Sequence, residues 1–360
     1  MEENENIIYK YKLIRKNPNF KFEKYIDAKN EYSSGYNGFF DIFTYSKDKD
    51  QYIITPVLSS FLIYIIRITD NQLLRSLKGH TECLSCINYF QNDKNKNEEY
   101  ILSVDIKGII IIWDINNNFK IKYKINTKES VIYSSIIIFN SNNNQKNNKD
   151  NNYIITSNNC NSEKEFLNYS KIYSLSNGKF IKNLTNTNSK KTYYILPWHE
   201  KKNNILYEIE CCYERIVIIN IEENKLYHEF LSEGDTETFT CGLVFNKNNI
   251  DYLCTLSLHG MLKFWDLENK RFIVKIKTGG LNSRVMIQWS EKYIILSDKK
   301  SDDNNKTFKI LDIDSFKIIS NIGGKHASPI TCIKKINHSK YGNIIVTGET
   351  GKSLIVCSLT

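Results

Sequence analysis

Seven times along the chain, two apolar β-type runs are joined by a short polar or glycine-containing turn. The pairs span 52–68, 100–115, 153–175, 205–221, 252–267, 293–313 and 343–359, as in YILSVDIKGIIIIWDI and YLCTLSLHGMLKFWDL. Another β segment precedes each pair, at 38–45, 83–90, 131–139, 191–198, 240–245, 284–289 and 330–336. A weaker one follows six of them, at 72–77, 119–125, 179–184, 225–230, 271–276 and 316–322. Central strands that are apolar on both faces need a covering layer on each side. Four-stranded units recurring at roughly 40–50 residues meet that need by stacking as the blades of a propeller.

The seventh unit reaches Thr360 with no sequence left for a fourth strand, whereas IIYKYKL (7–13) is a strand-like segment ahead of the first complete unit. The pattern therefore predicts an all-β, seven-bladed β-propeller of four-stranded antiparallel blades. It treats 1–360 as one domain, its ring closed by residues 7–13 in the last blade.

The isoleucines 109–112, between Gly108 and Trp113-Asp114, read as a strand buried on both faces. No window approaches the ~18 uncharged apolar residues needed to span a membrane. The start, MEENENIIYKYKLIRK, lacks an apolar core of signal-peptide type. With 41% hydrophobic residues, 23 Tyr, 18 Phe and only 4 Pro, the composition is that of a β-rich globular protein. Nine cysteines form no regular framework, which points to a reducing, intracellular setting, cytoplasmic or nuclear. The net charge of +9 has both signs spread along the chain, as expected of a solubility surface. The Asn-rich run 140–152, with 92–100 and 299–307, reads as polar loop grown between strands, and 140–152 is expected to be disordered.

A search for chemistry finds no catalytic constellation, no metal site and no cofactor motif. Cys83 and Cys86 form a lone CxxC without two further ligands near by. Residues three apart in a strand face opposite ways, as do the adjacent Cys211 and Cys212, so all four read as structural. GETGKS (348–353) echoes a phosphate-binding loop but has two residues between its glycines instead of four, and a strand follows it. His199, His228 and His338 have no acid or nucleophile at a diagnostic spacing. The paired lysines 190–191, 201–202, 299–300 and 334–335 fall at different blade positions, so nucleic acid is not the favoured partner.

Two units carry a more specific signature. Gly79-His80 lies 33 residues ahead of Trp113-Asp114, and Gly260 precedes Trp265-Asp266 by the same five residues that separate Gly108 from Trp113. In these features the chain resembles the WD40-repeat family of β-propellers. The likeness covers nearly the whole chain and weakens at Ile66-Arg67, Ile219-Asn220 and Leu311-Asp312, where tryptophan is missing. The resemblance implies a hydrogen-bonded network in each blade of histidine, serine or threonine, aspartate and tryptophan. Carried over, it places His80, Ser103 and Trp113 in the second blade, with Lys107 where aspartate is expected, and His259 there in the fifth. Both departures predict an incomplete network whose side chains turn to solvent.

The resemblance also implies a non-catalytic scaffold, or a subunit of a multiprotein complex, that binds peptides or protein domains on its loop faces. Candidate contacts are Ile106 and Lys107 beside Gly108, His259 beside Gly260, Glu349 and Thr350 beside Gly351, and Asn282, Ser283 and Arg284 before the sixth blade. The alternative is a basic subunit of an RNA-processing or ribosome-assembly particle, which would present one continuous positive face. Neither reading involves membrane insertion or a small-molecule substrate.

Overall fold

The computed structural model describes residues 11–16, 42–47, 50–56, 61–70, 72–92, 95, 97–128, 132, 134–138, 152–157, 170–184, 192–232, 237–278, 285–297, 308–322, 330–338, 342–349 and 354–359. Their regular structure is entirely β, from β1 (Tyr11–Lys16) onward. The first sheet is β2 (Phe43–Lys47), β3 (Asp50–Pro56), β4 (Leu62–Arg67) and β5 (Leu73–Lys78). The second is β6 (Leu84–Gln91), β7 (Glu99–Asp105), β8 (Ile109–Asp114) and β9 (Lys120–Asn126). The third is β10 (Ser135–Ile138), β11 (Tyr153–Thr156), β12 (Lys171–Ser174) and β13 (Phe180–Asn183). The fourth is β14 (Thr192–Glu200), β15 (Ile205–Cys212), β16 (Arg215–Asn220) and β17 (Lys225–Leu231). The fifth is β18 (Phe239–Lys247), β19 (Ile250–Ser257), β20 (Met261–Asp266) and β21 (Arg271–Lys277). The sixth is β22 (Met286–Gln288), β23 (Tyr293–Ser297), β24 (Phe308–Asp312) and β25 (Lys317–Ile322). The seventh joins β26 (Ile330–His338), β27 (Gly342–Glu349) and β28 (Leu354–Leu359) to β1.

Seven four-stranded antiparallel sheets thus form a propeller-like set of blades. The seventh takes its fourth strand from the N-terminal region, with Tyr11 opposite Leu359 and Lys16 opposite Ile355. Of the expected segment 7–13, residues 11–13 lie in β1, which continues to Lys16, and 7–10 fall outside the described residues. The Asn-rich run is also outside them, apart from Asn152.

The isoleucine run shows how the sheets are held. In β8, Ile110 and Ile112 join an apolar layer with Ile137, Ile154 and Tyr173 of the third sheet. Ile111 and Trp113 face the other way, onto Ile54, Ile63 and Ile65 of the first. Period-two alternation places apolar groups on both faces, and each face is covered by a neighbouring sheet. The same logic separates the adjacent Cys211 and Cys212, which enter layers on opposite sides of the fourth sheet. Residues of the first sheet (Ile53, Ile66) share a further apolar layer with Cys332, Ile344 and Val346 of the seventh.

The turns between third and fourth strands are built alike. Asp114, Asn220, Asp266 and Asp312 each accept a backbone N–H two or three residues on, from Asn117, Glu223, Asn269 and Asp314. Four residues beyond each stands a left-handed residue, namely Asn118, Asn224, Lys270 and Phe316, with φ between 53° and 58°. Burial alone would raise the carboxyl pKa of Asp266, but hydrogen bonds from Asn269 and Arg271 outweigh it, leaving the group below its ordinary value. Where the family signature lacks tryptophan, the turn-capping residue persists at Asn220 and Asp312.

One seam breaks the apolar rule. Glu208 and Glu210 of β15 are fully buried and point with Cys212 toward the third sheet, among Ile195, Val217 and Ile219. Glu210 accepts from Ser170 Oγ at 2.8 Å and Thr192 Oγ1 at 3.4 Å, whereas neither carboxyl oxygen of Glu208 has a hydrogen-bond partner. Desolvation, followed for Glu208 by the nearby Glu210, pushes both carboxyl groups upward, Glu210 to about 7. The folded state therefore holds these protons more tightly than the unfolded chain. Stability is highest below the ordinary glutamate pKa of 4.5, falls as pH rises through about 7, and then levels off for Glu210. Thermal unfolding should show a midpoint lower at pH 8 than at pH 5.5, with Glu210 alone contributing roughly 2 kcal/mol to the loss of stability over that window. The double substitution E208Q/E210Q should flatten that slope; an unchanged slope in the variant would place its origin elsewhere.

Candidate functional site

The tips of the β7–β8 and β19–β20 hairpins lie beside the segments that enter β6 and β18, and the clearest side-chain architecture is gathered there. Gly108 and Gly260 hold φ of 73° and 74° at these two turns, a conformation that suits glycine because it has no Cβ. Threonines fasten the ends of the fourth strands to them: Thr127 Oγ1 donates to Gly108 O at 2.8 Å and Thr278 Oγ1 to Gly260 O at 2.9 Å.

In the second sheet a buried relay runs across three strands. Trp113 Nε1–H donates to Ser103 Oγ at 2.8 Å, Ser103 Oγ lies 2.7 Å from His80 Nε2, and His80 Nδ1 lies 3.0 Å from Asp105 Oδ2. The direction follows from the donor inventory. A carboxylate can only accept, so His80 Nδ1 carries the proton and donates to Asp105. In that neutral tautomer Nε2 accepts from the Ser103 hydroxyl, whose oxygen accepts the indole N–H. The second carboxylate oxygen, Oδ1, accepts the backbone N–H groups of Lys107 (3.0 Å) and Ile109 (2.9 Å), which fixes the turn around Gly108. Gly79 completes the packing: a Cβ there would stand 2.8 Å from the tryptophan ring, so the chain can enter the blade this closely only without a side chain.

The expected network is thus corrected in two respects. Its aspartate is Asp105, not position 107, and the network is complete and buried instead of turned to solvent. Lys107 sits at the hairpin tip, where its exposed ammonium pairs with Glu82. A residue beside the turn glycine points away from the blade. Asp105, two residues after Ser103, shares its face of the strand and can reach the same histidine.

The fifth sheet keeps part of this arrangement. Trp265 Nε1 donates to Thr255 Oγ1 at 3.0 Å, and Ser257 stands where Asp105 does, its Oγ accepting from Met261 N at 3.1 Å. His259, at the tip, is exposed and takes no place in the network. The buried charge is supplied instead by Lys263 Nζ and Glu237, 2.7 Å apart, with the ammonium also 5.7 Å from the centre of the Phe239 ring. Such a pair is costly to break because either partner alone would be a buried, uncompensated charge.

Of the other proposed contact residues, Ile106 is exposed at the same tip as Lys107. Glu349 ends β27, and Thr350, Asn282, Ser283 and Arg284 lie outside the described residues. The hairpin of the second sheet therefore presents Ile106 and Lys107, with Glu82 of the segment entering β6 paired to the lysine, and that of the fifth presents His259. Cys83 is exposed and Cys86 buried, its Sγ 3.2 Å from Ser135 Oγ. Among the described residues, no cluster of three or more His, Cys, Asp or Glu is arranged to hold a metal, and no helix is long and apolar enough to cross a membrane. A scan against protein-family models gives no match for this chain, and a search of curated proteins gives none either.

Sequence reading passed over Asp105, Glu237, Lys263 and the two threonines. The order Ser103-x-Asp105-x-x-Gly108 was a usable signal, because i and i+2 share a strand face; the Lys263–Glu237 pair, 26 residues apart, carried none. His80→Ala or Asp105→Ala should each cost about 2–4 kcal/mol in denaturant unfolding, since each strands buried polar partners. Lys107→Ala, at an exposed pair, should leave the denaturant midpoint essentially unchanged. The reverse ranking would return the aspartate role to position 107.

Proposed function

We propose that the chain is a divergent WD40-type propeller whose seven blades close into a ring, and that it works as a non-catalytic scaffold binding peptides or protein domains on its hairpin face. The observation that carries the reading is the complete His80–Asp105–Ser103–Trp113 relay, which rigidly seats a hairpin whose tip residues take no part in the relay. Ring closure is supported by the β1–β28 pairing, by the layer shared between first and seventh sheets, and by a hydrogen bond from Gln51 Nε2 to Asn337 O at 2.5 Å. A ring of this kind presents separate loops on a stiff frame, so binding residues can vary without cost to the core.

The proposed contact residues are Ile106 and Lys107 on the second sheet's hairpin and His259 on the fifth's, with Phe61, 42% exposed, just before β4 of the first. Exposed apolar tips flanked by charge are a composition that suits protein contact at each hairpin. No observation favours catalysis at this face.

Two measurements test the proposal. Affinity capture with the intact protein should recover a protein partner that is lost with I106E/H259E, while the thermal midpoint of that variant stays unchanged. Recovery that disappears on nuclease treatment would favour the RNA-particle alternative. Removing residues 1–16 should lower the unfolding midpoint by several degrees, because β28 would become a free edge; an unchanged midpoint would refute closure by β1.

A further inference from the structure

The fourth strands concentrate the protein's positive charge. First strands of adjacent sheets lie against one another, as β10, β14, β18 and β22 do in succession, so the fourth strands stand on the outside. The seven of them, β5, β9, β13, β17, β21, β25 and β1, contain fourteen Lys or Arg residues and a single acid, Glu229. Their net charge is +13. The whole chain is +9, so everything else sums to −4.

These strands are also the open edges of their sheets, with a row of backbone N–H and C=O groups facing outward. Basic side chains on such edges repel the equally basic edges of a second copy. They do not repel an acidic strand. Lysine also serves to block edge pairing, but a purely protective edge would not be accompanied by exposed apolar groups. Here the edges carry Leu73 and Leu74, Ile121, Phe180 and Ile181, Leu226, Phe272 and Ile319, all more than a third exposed.

We infer that the outer edge of β9 is a docking site for an extended acidic peptide segment of a partner, added as a fifth strand to the second sheet. The inference rests on the chain being a binding platform and names a second surface for it. The sequence KIKYKIN of β9 places Lys120, Lys122 and Lys124, all exposed, along one edge. Lys122 donates to Tyr100 OH and Lys124 to Gly79 O, both neutral acceptors, so neither ammonium is neutralised. On the neighbouring sheet Arg75 likewise bonds a carbonyl, that of Asn118, and extends the positive field beside β9. By contrast Arg271 of β21 is paired with Asp266, and Lys225 of β17 lies 3.8 Å from Glu223. Backbone pairing supplies affinity in strand addition, and alternate side chains supply selectivity. The ladder bulges at Lys122, so Lys122 reaches toward Tyr100 on the third-sheet side and Lys124 toward Gly79 on the other, and an added strand rich in acidic residues would set carboxylates beside these ammonium groups. A nucleic acid would draw on exposed stacking platforms, whereas the ring of β9 itself, Tyr123, is half-buried against the third sheet with its hydroxyl donating to Leu175 O.

The test uses the full chain and a fluorescein-labelled heptapeptide, Glu-Val-Glu-Thr-Glu-Val-Glu, read by fluorescence anisotropy. The same peptide N-methylated at alternate residues keeps its charge but cannot pair as a strand on either edge. Binding should weaken at least tenfold on methylation and at least tenfold in K120E/K124E. It should change less than twofold in K201E/K202E, which makes an equal charge change at an exposed turn of the fourth sheet. Equal binding of the methylated peptide would overturn the inference, leaving only general attraction between opposite charges. Tighter binding of oligouridylate or of phosphatidylserine vesicles would overturn it in favour of a nucleic acid or a membrane. Thermal midpoints within two degrees of the parent's would exclude misfolding of the variants. The I106E/H259E variant should bind the peptide normally, so loss of the hairpin-face partner and loss of the edge site are read separately.

Discussion

A β-sheet that is apolar on both faces cannot stand alone in water, and the architecture follows from that constraint. Ile110 and Ile112 of β8 need the third sheet, while Ile111 and Trp113 need the first. The same dependence recurs from sheet to sheet, through Phe239 and Trp265 toward the fourth and through Phe264 and Leu311 between fifth and sixth. Each sheet is both core and cover for its neighbours. Buried side chains of this size are each worth about 1.5–3 kcal/mol relative to exposure, so the layers dominate over any single polar contact.

Within that frame polar networks set local geometry more than total stability. The His80–Asp105–Ser103–Trp113 relay ties the segment entering β6 to the β7–β8 hairpin and the third strand. The fifth sheet reaches a similar end with Thr255, Ser257, Trp265 and the Lys263–Glu237 pair. Sheets without these groups still form: the fourth and sixth keep the turn-capping Asn220 and Asp312, and the apolar alternation recurs in the others. Tryptophan and histidine are thus reinforcements of the repeat, and their loss in other units leaves the blade intact.

Charge follows the same separation of roles. Several lysines that read in sequence as candidate nucleic-acid contacts or surface charge instead bridge sheets, as Lys182 does to Ile221 O, Lys247 to Ile313 O and Lys335 to Trp289 O. The long stems lie over neighbouring strands while the ammonium caps a carbonyl of the next sheet. Much of the remaining positive charge is carried on the outer strands.

The number of sheets, their strand composition and the buried character of the isoleucine run were legible in the sequence, because period-two alternation is a local property that nearest neighbours report. The turn residues were legible for the same reason: an Asp or Asn capping a turn acts within four positions. The aspartate of the relay was misplaced by two residues because distance along the chain from Gly108 was used where strand face decides. Alternation along the chain already requires stacked two-faced sheets, and the missing fourth strand of the last unit already points to the N-terminal segment. The folded chain adds that the closing strand runs on to Lys16, that Asp105 meets His80, that Lys263 meets Glu237, and that two buried glutamates share the seam between third and fourth sheets. Those pairings join residues far apart in the chain, and no local pattern encodes a contact that exists only once the sheets have stacked.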